Sequence, residues 1–175
     1  VTALYLAGDS HAEGLARSLE HVGQDYARGR RTAAQPPLPA DVEVVVVSLG
    51  TNDRPGPALA QAVRELVATR RGQPLVWLLP PRATRADLVA KRAEVVESIR
   101  AGASGSSGVV FVDPPAVPLA PDEVHPTRAG YAQLANVIRA AVTSRADHVD
   151  SAGGATVAPL ALLLLGVAFL WTRWR

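Results

Sequence analysis

The sequence predicts a three-layer α/β/α sandwich with a central parallel sheet. Short apolar runs alternate along the chain with longer stretches whose apolar residues recur every three or four positions. The short runs carry almost no polar residues, as suits strands covered on both faces. Gly, Pro and Asp gather where the runs stop. In sheets of this kind ligands sit beyond the carboxyl ends of the strands. The residues that follow each apolar run are therefore the candidate site.

Taken in order, Leu4 to Ala7 reads as a buried strand stopped by Gly8. Residues 12–21 read as a helix, with Leu15, Leu19 and Val22 at helical spacing. Residues 23–41 are rich in Gly, Pro, Arg and Gln and read mostly as loop, with a short strand near Gln24–Ala27. VEVVVVSL, from Val42 to Leu49, is the clearest strand. Pro57 opens a helix that runs to Arg71 and carries Leu59, Val63, Leu66 and Val67 on one side. Leu75 to Leu79 is a strand stopped by Pro80-Pro81, with Trp77 in the core. Arg82 to Ala103 reads as a long helix with Leu88, Val95 and Ile99 aligned. A Gly/Ser turn leads to the strand Val109–Val112, which Asp113-Pro114-Pro115 ends. A Pro-rich loop over 114–126 precedes a last helix, Thr127–Ser144. The expected domains are 1–145, a linker over 146–156, and an apolar helix over 157–175.

Composition narrows the chemistry. With 48% apolar residues among 175, the chain can fill one core. It has no cysteine, which excludes disulfides and thiolate metal sites. The four histidines are scattered, so no metal and no cofactor is expected. Acidic and basic residues balance within 1–150, and the net charge of +2 comes from Arg173 and Arg175. A nucleic-acid-binding domain carries its basic excess on the folded part, so nucleic acid is not an expected partner. Lys91 is the only lysine, and the other basic residues are arginines.

Three polar segments fall at the predicted site edge: Gly8-Asp9-Ser10, Gly50-Thr51-Asn52-Asp53 and Asp122-Glu123-Val124-His125. Serine is a weak nucleophile unless a base stands beside it. His125 is a candidate base, and Asp122 can hold its tautomer. The Asn52 amide and the Ser10 N–H, at a helix start where N–H groups lack partners, are candidate donors to a developing oxyanion. Taken singly each segment is weak: Ser10 or Asp122 could cap a helix and GTND could be a plain turn. Their joint order and placement favour catalysis. Asp9 and Asp53 are expected to bond backbone at their turns, and His11 to face the site or solvent at the helix start. Arg28, Arg30 and Arg31 are expected in a solvated loop.

Together these segments resemble the SGNH hydrolases of the GDSL esterase/lipase superfamily, over about residues 3–145. GDS matches the first block, GTND the third, and DEVHPTRAGYAQLA the fifth. The resemblance implies a flavodoxin-like sandwich, Ser10 as nucleophile, Asp122 and His125 completing a triad, and Ser10, Gly29 and Asn52 as the oxyanion hole. Gly29, in ARGRRT, is the choice for the lone glycine of the second block, with Gly23 as the alternative. His11 stands where the common motif has Leu or Ile. That spelling resembles domains that add or remove acyl groups on polysaccharides, which points to small acyl esters, above all acetyl, on carbohydrate. The chain has no long insertion to serve as a lipase lid. Two rivals stay open: an O-acyltransferase on the same triad, and a glycan-binding domain that does no chemistry.

Residues 151–172 are an uncharged stretch followed by Arg-Trp-Arg. Its best apolar part begins near Val157, and a span needs about 20 residues. The expectation is a membrane anchor in the bacterial cell envelope, with Trp beside Arg at the interface. Either side of the membrane stays open: charge bias places the C-terminus in the cytoplasm, the Gly-Gly, apolar and Arg order resembles a sorting tail, and a cytoplasm-facing tail anchor fits too. The first apolar run, residues 1–7, is too short for a signal peptide.

Overall fold

The structure is a computed structural model. It describes the backbone of residues 2–153 and the side chains of residues 2–144. The apolar segment over 157–175 lies outside the described residues. Among those described, no helix is long and apolar enough to cross a membrane.

The elements are β1 (Leu4–Gly8), α1 (Ser10–Leu15), β2 (Gly23–Tyr26), a 3₁₀ turn (Thr32–Ala34), β3 (Val44–Ser48), α2 (Pro57–Ala68), β4 (Leu75–Leu78), α3 (Ala86–Gly102), β5 (Val109–Val112) and α4 (Arg128–Gly153). The strands form one sheet in the order β2-β1-β3-β4-β5. Every pair is parallel.

Alternation along the strands divides the core in two. Leu4, Leu6, Val44, Val46, Val76 and Leu78 pack with Leu15, Leu19, Leu134 and Ile138, from α1, the turn after it and α4. Ala7, Val45, Val47, Leu75 and Trp77 pack on the other face with Leu59, Val63 and Leu66 of α2 and Val95 and Ile99 of α3. Leu6, Val63, Trp77, Ile99 and Leu134 are wholly buried. Each such side chain contributes roughly 1.5–3 kcal/mol of transfer free energy. These are the three layers that the sequence predicts.

Several boundaries differ from expectation. The first helix begins at Ser10 and stops at Leu15, where the sequence predicted 12–21. Val22 was placed on the core face and is 67% exposed, because its N–H turns to Leu4 O, 2.8 Å away, leading the chain into β2. The third helix starts at Ala86 rather than Arg82. The last helix continues to Gly153, so residues 146–153 are helical where a linker was expected. The first compact unit ends at Ser144.

One glycine fixes the geometry of the site. Gly8 has φ +145, and a Cβ there would lie 2.1 Å from Ser48 O. Only glycine lets the end of β1 pass this close to β3 as the chain turns into α1.

Candidate active site

Ser10 is the first residue of α1, directly beyond β1. Asp9 caps the helix, its Oδ1 accepting the His11 N–H at 2.9 Å. The Ser10 N–H has no partner among the described residues. Ser10 Oγ lies 2.8 Å from Nε2 of His125, a residue 115 positions away in sequence. His125 Nδ1 lies 2.6 Å from Asp122 Oδ2. An ionised carboxylate only accepts, so Nδ1 carries the proton and Nε2 presents its lone pair to the serine.

The Asp122–His125 turn explains how one carboxylate does two jobs. Glu123 adopts φ +59, a left-handed conformation that costs a non-glycine residue roughly 1–3 kcal/mol. Asp122 Oδ1 then accepts both the Val124 and His125 N–H groups, each at 3.0 Å. The other oxygen is left for the imidazole. The His125 N–H, then the imidazole and the Val124 N–H, hold the Asp122 carboxyl well below the usual carboxylate range. Asp122 does not cap α4; Thr127 does, its Oγ1 accepting the Gly130 N–H at 3.2 Å.

Asn52 occupies a turn closed by the Asp53 N–H on Gly50 O at 3.0 Å. Its Nδ2 donates to Asp9 Oδ2 at 3.1 Å and to Arg30 O at 3.3 Å. Asp53 bonds a neighbouring loop rather than its own turn: it accepts the Thr32 N–H and, at 2.7 Å, the Thr32 hydroxyl. That ties the Asn52 turn to the segment carrying Gly29. Gly29 has φ +69, and its N–H has no partner among the described residues.

Ser10, Gly29, Asn52, Asp122 and His125 all line one cleft of about 460 Å³. Glu13, Gly14, Arg17, Arg28 and Tyr131 complete its walls. Arg28 donates through Nε and Nη2 to Glu13 at 3.1 and 3.4 Å, and Arg17 lies 3.7 Å from the same carboxylate. Arg30, expected in solvent, instead turns inward to Asp25 and Gln35.

His11 departs from expectation: it faces neither cleft nor solvent but is buried, 1% exposed. Its ring lies 5.0 Å from that of His125, tilted by 33°, and its Nδ1 is 3.5 Å from the Tyr131 hydroxyl. Burial pushes its pKa down to about 3, with His125 adding to the effect. It is therefore a neutral imidazole behind His125. Asp9 is wholly buried too, and burial pushes its carboxyl up to about 7. Burial likewise raises the Tyr131 phenol. Glu13, Arg17, Tyr131 and Lys91 were given no role from sequence, although Tyr131 falls in the fifth-block match and Lys91 is the lone lysine among arginines. No group of three or more His, Asp or Glu among the described residues could hold a metal ion.

The model of the GDSL-like lipase/acylhydrolase family matches residues 6–133, well over half of the sequence. The chain belongs to that family. This GDSL-like protein is thus an ester-bond hydrolase. No curated protein matches it in sequence. A lipase/acylhydrolase from Enterococcus faecalis is similar in structure, with a TM-score of 0.61 at 16% identity over 83% of this chain and 97% of the other. A family two carbohydrate esterase from Clostridium thermocellum, solved with cellohexaose, gives 0.59 at 17% identity over 83% of this chain and 65% of the other. An acetyl xylan esterase from Geobacillus stearothermophilus gives 0.53 at 15% identity over 78% and 92%. At these identities the likeness is one of fold.

Proposed function

We propose that this GDSL-like protein is a serine esterase that removes small acyl groups, chiefly acetyl, from carbohydrate through an acyl-enzyme on Ser10. The observation that carries the reading is the unbroken relay from Ser10 Oγ through His125 to Asp122 at 2.8 and 2.6 Å. His125 Nε2 takes the hydroxyl proton as Ser10 Oγ attacks the ester carbonyl. The Ser10 N–H, the Gly29 N–H and Asn52 Nδ2 receive the oxyanion, each donor worth roughly 3–4 kcal/mol. Asn52 frees a hydrogen by releasing Arg30 O, the longer of its two contacts. Collapse expels the alcohol, which takes the proton from His125. Water enters the open cleft and attacks the acyl carbonyl as His125 takes its proton; collapse releases the carboxylic acid, and His125 returns the proton to Ser10 Oγ. Asp122 stabilises the imidazolium at both steps.

The cleft walls support a small acyl group. Glu13, Arg17, Arg28, Asn52 and Asp122 put charged and amide groups into the wall around Ser10, and a long alkyl chain laid across them would strip them of water. Charged and amide groups suit a hydroxyl-rich alcohol instead, and the carbohydrate esterases among the similar structures support the same class. The uncharged run over 151–172 supports a membrane tether in the cell envelope.

Ser10→Ala should lower turnover of p-nitrophenyl acetate by roughly a thousandfold or more, with an unchanged thermal transition. A fluorophosphonate should label the wild type and not the variant. Undiminished turnover in the pure variant overturns the assignment. Across p-nitrophenyl esters, kcat/KM should peak at acetyl and fall steadily beyond butyryl; a maximum at octanoyl would exclude the small-acyl reading. An excess of acceptor sugar that diverted acetyl from water to sugar would favour the transferase.

A further inference from the structure

We propose that Lys91 is a positioning residue, the clamp that fixes the turn presenting Asn52 to the oxyanion. Lys91 stands on α3 and donates to Thr51 O at 2.9 Å and to Asp53 O at 3.0 Å. Those carbonyls belong to the residues immediately before and after Asn52. One ammonium thus ties the peptide that enters Asn52 to the peptide that leaves Asp53.

Lys91 is half-buried and forms no ion pair with any carboxylate among the described residues. Its charge is balanced by these carbonyl dipoles. Half-burying a charge that no carboxylate pairs costs free energy; what it supports is a turn, with Asp53 itself buried, that must not move. Every other Lys or Arg position holds arginine, and lysine supplies a compact point charge with three rotatable donors.

The rest of the turn is built to the same end. Gly50 has φ +118, and a Cβ there would meet Ile99 Cδ1 at 2.8 Å and Pro80 Cγ at 2.9 Å. So α3 rests directly on the backbone before Asn52. On the far side Thr32 holds the Asp53 carboxylate. Packing fixes one end of the turn, Thr32 anchors its side, and Lys91 holds the peptide before Asn52 and the one after Asp53. A displacement of about 1 Å in a catalytic group can cost about 10²-fold in rate. Loss of the clamp should therefore appear in kcat.

The inference rests on Asn52 being an oxyanion donor, and the experiment separates the two claims. The chain contains no cysteine and no methionine, so the thiol of Lys91→Cys can be alkylated selectively with 2-bromoethylamine. That restores an ammonium at nearly the length of lysine. Lys91→Cys should lose roughly 10- to 100-fold in kcat with KM within twofold. Aminoethylation should return kcat to within threefold of wild type, whereas carbamidomethylation, which adds a neutral amide, should not. In an Asn52→Ala background Lys91→Cys should cost less than a further twofold, since the clamp then has nothing to position. Full turnover in Lys91→Cys, failure of aminoethylation to restore it, or independent losses in the double variant overturn the clamp. Full turnover in Asn52→Ala overturns the oxyanion assignment and the clamp with it; reduced turnover there beside an unimpaired Lys91→Cys overturns the clamp alone. Should Lys91→Cys not fold, acetylating Lys91 in the folded wild-type protein discharges the same ammonium. An unchanged kcat after acetylation would equally overturn the proposal.

Discussion

Asp9 and His11 flank the nucleophile, and both are buried in the form that burial favours. Their effects on stability run in opposite directions. The folded state holds a proton on Asp9 between the ordinary carboxylate range and about 7. Stability from this residue therefore falls as pH rises through that window. His11 stays neutral down to about 3, while an unfolded histidine takes up a proton near 6.5. Its part of the stability is complete above 6.5 and is lost as pH falls toward 3. His11→Leu removes only the second effect. The variant should gain on the wild type by up to about 1.4 kcal/mol for each pH unit below 6.5, read as a difference in thermal midpoint from pH 7.5 to 4.5. A difference that stays constant across that range would contradict the burial argument. That Ser10, Asn52, Asp122 and His125 share one cleft was legible in sequence because their side-chain types fit a single chemistry and their segments fall at one edge of the predicted sheet. Gly29 was harder, since a backbone N–H leaves no residue-type signature. Asp9 was legible as a residue that bonds backbone at its turn, whereas its burial and the surroundings of His11 and Lys91 were opaque because they depend on distant parts of the chain.

At the scale of elements, the strands were legible because an uninterrupted β-branched run has few other stable homes. Helix ends were less so, because tertiary bonds compete with helical ones. Residues 82–85 continue the polar and apolar pattern of α3, yet the Thr84 and Arg85 N–H groups donate to Glu123 O at 3.0 and 3.5 Å. Those bonds brace the loop that carries Asp122 and His125, and the helix begins only after them. Arg82 adds to the brace through Pro114 O at 3.3 Å. Similarly, α1 stops early because the chain must turn back to lay β2 against β1. The bonds lost from the start of α3 go to the active-site frame, while the chain after α1 gives the Val22 N–H to Leu4 O at the opposite end of β1.

For the whole molecule, the strand order places β1 between β2 and β3, so the chain leaves β1 toward β2 and leaves β3 toward β4, in opposite directions. A crevice opens at such a reversal, and Ser10 and Asn52 stand at its two lips, beyond β1 and β3. Alternation of strands and helices alone is compatible with several orders; the flavodoxin-like sandwich that the resemblance implies carries this one. The compact unit, ending at Ser144, contains every residue of the proposed machinery. A chain ended at residue 153 should therefore keep kcat/KM within twofold of the full chain. Produced in the same bacterial host, the full chain should sediment with membranes and the shortened chain should not. Equal partitioning would remove the tether from the proposal.

The sheet's two borders, β2 and β5, are only four residues long. Pro114 and Pro115 follow one almost at once, and the other carries Asp25 in its ion pair with Arg30 at 2.9 Å. A stray extended peptide would find too short a template to zip against, and prolines that donate nothing. The protein should consequently resist strand-by-strand self-association even when crowded on a surface.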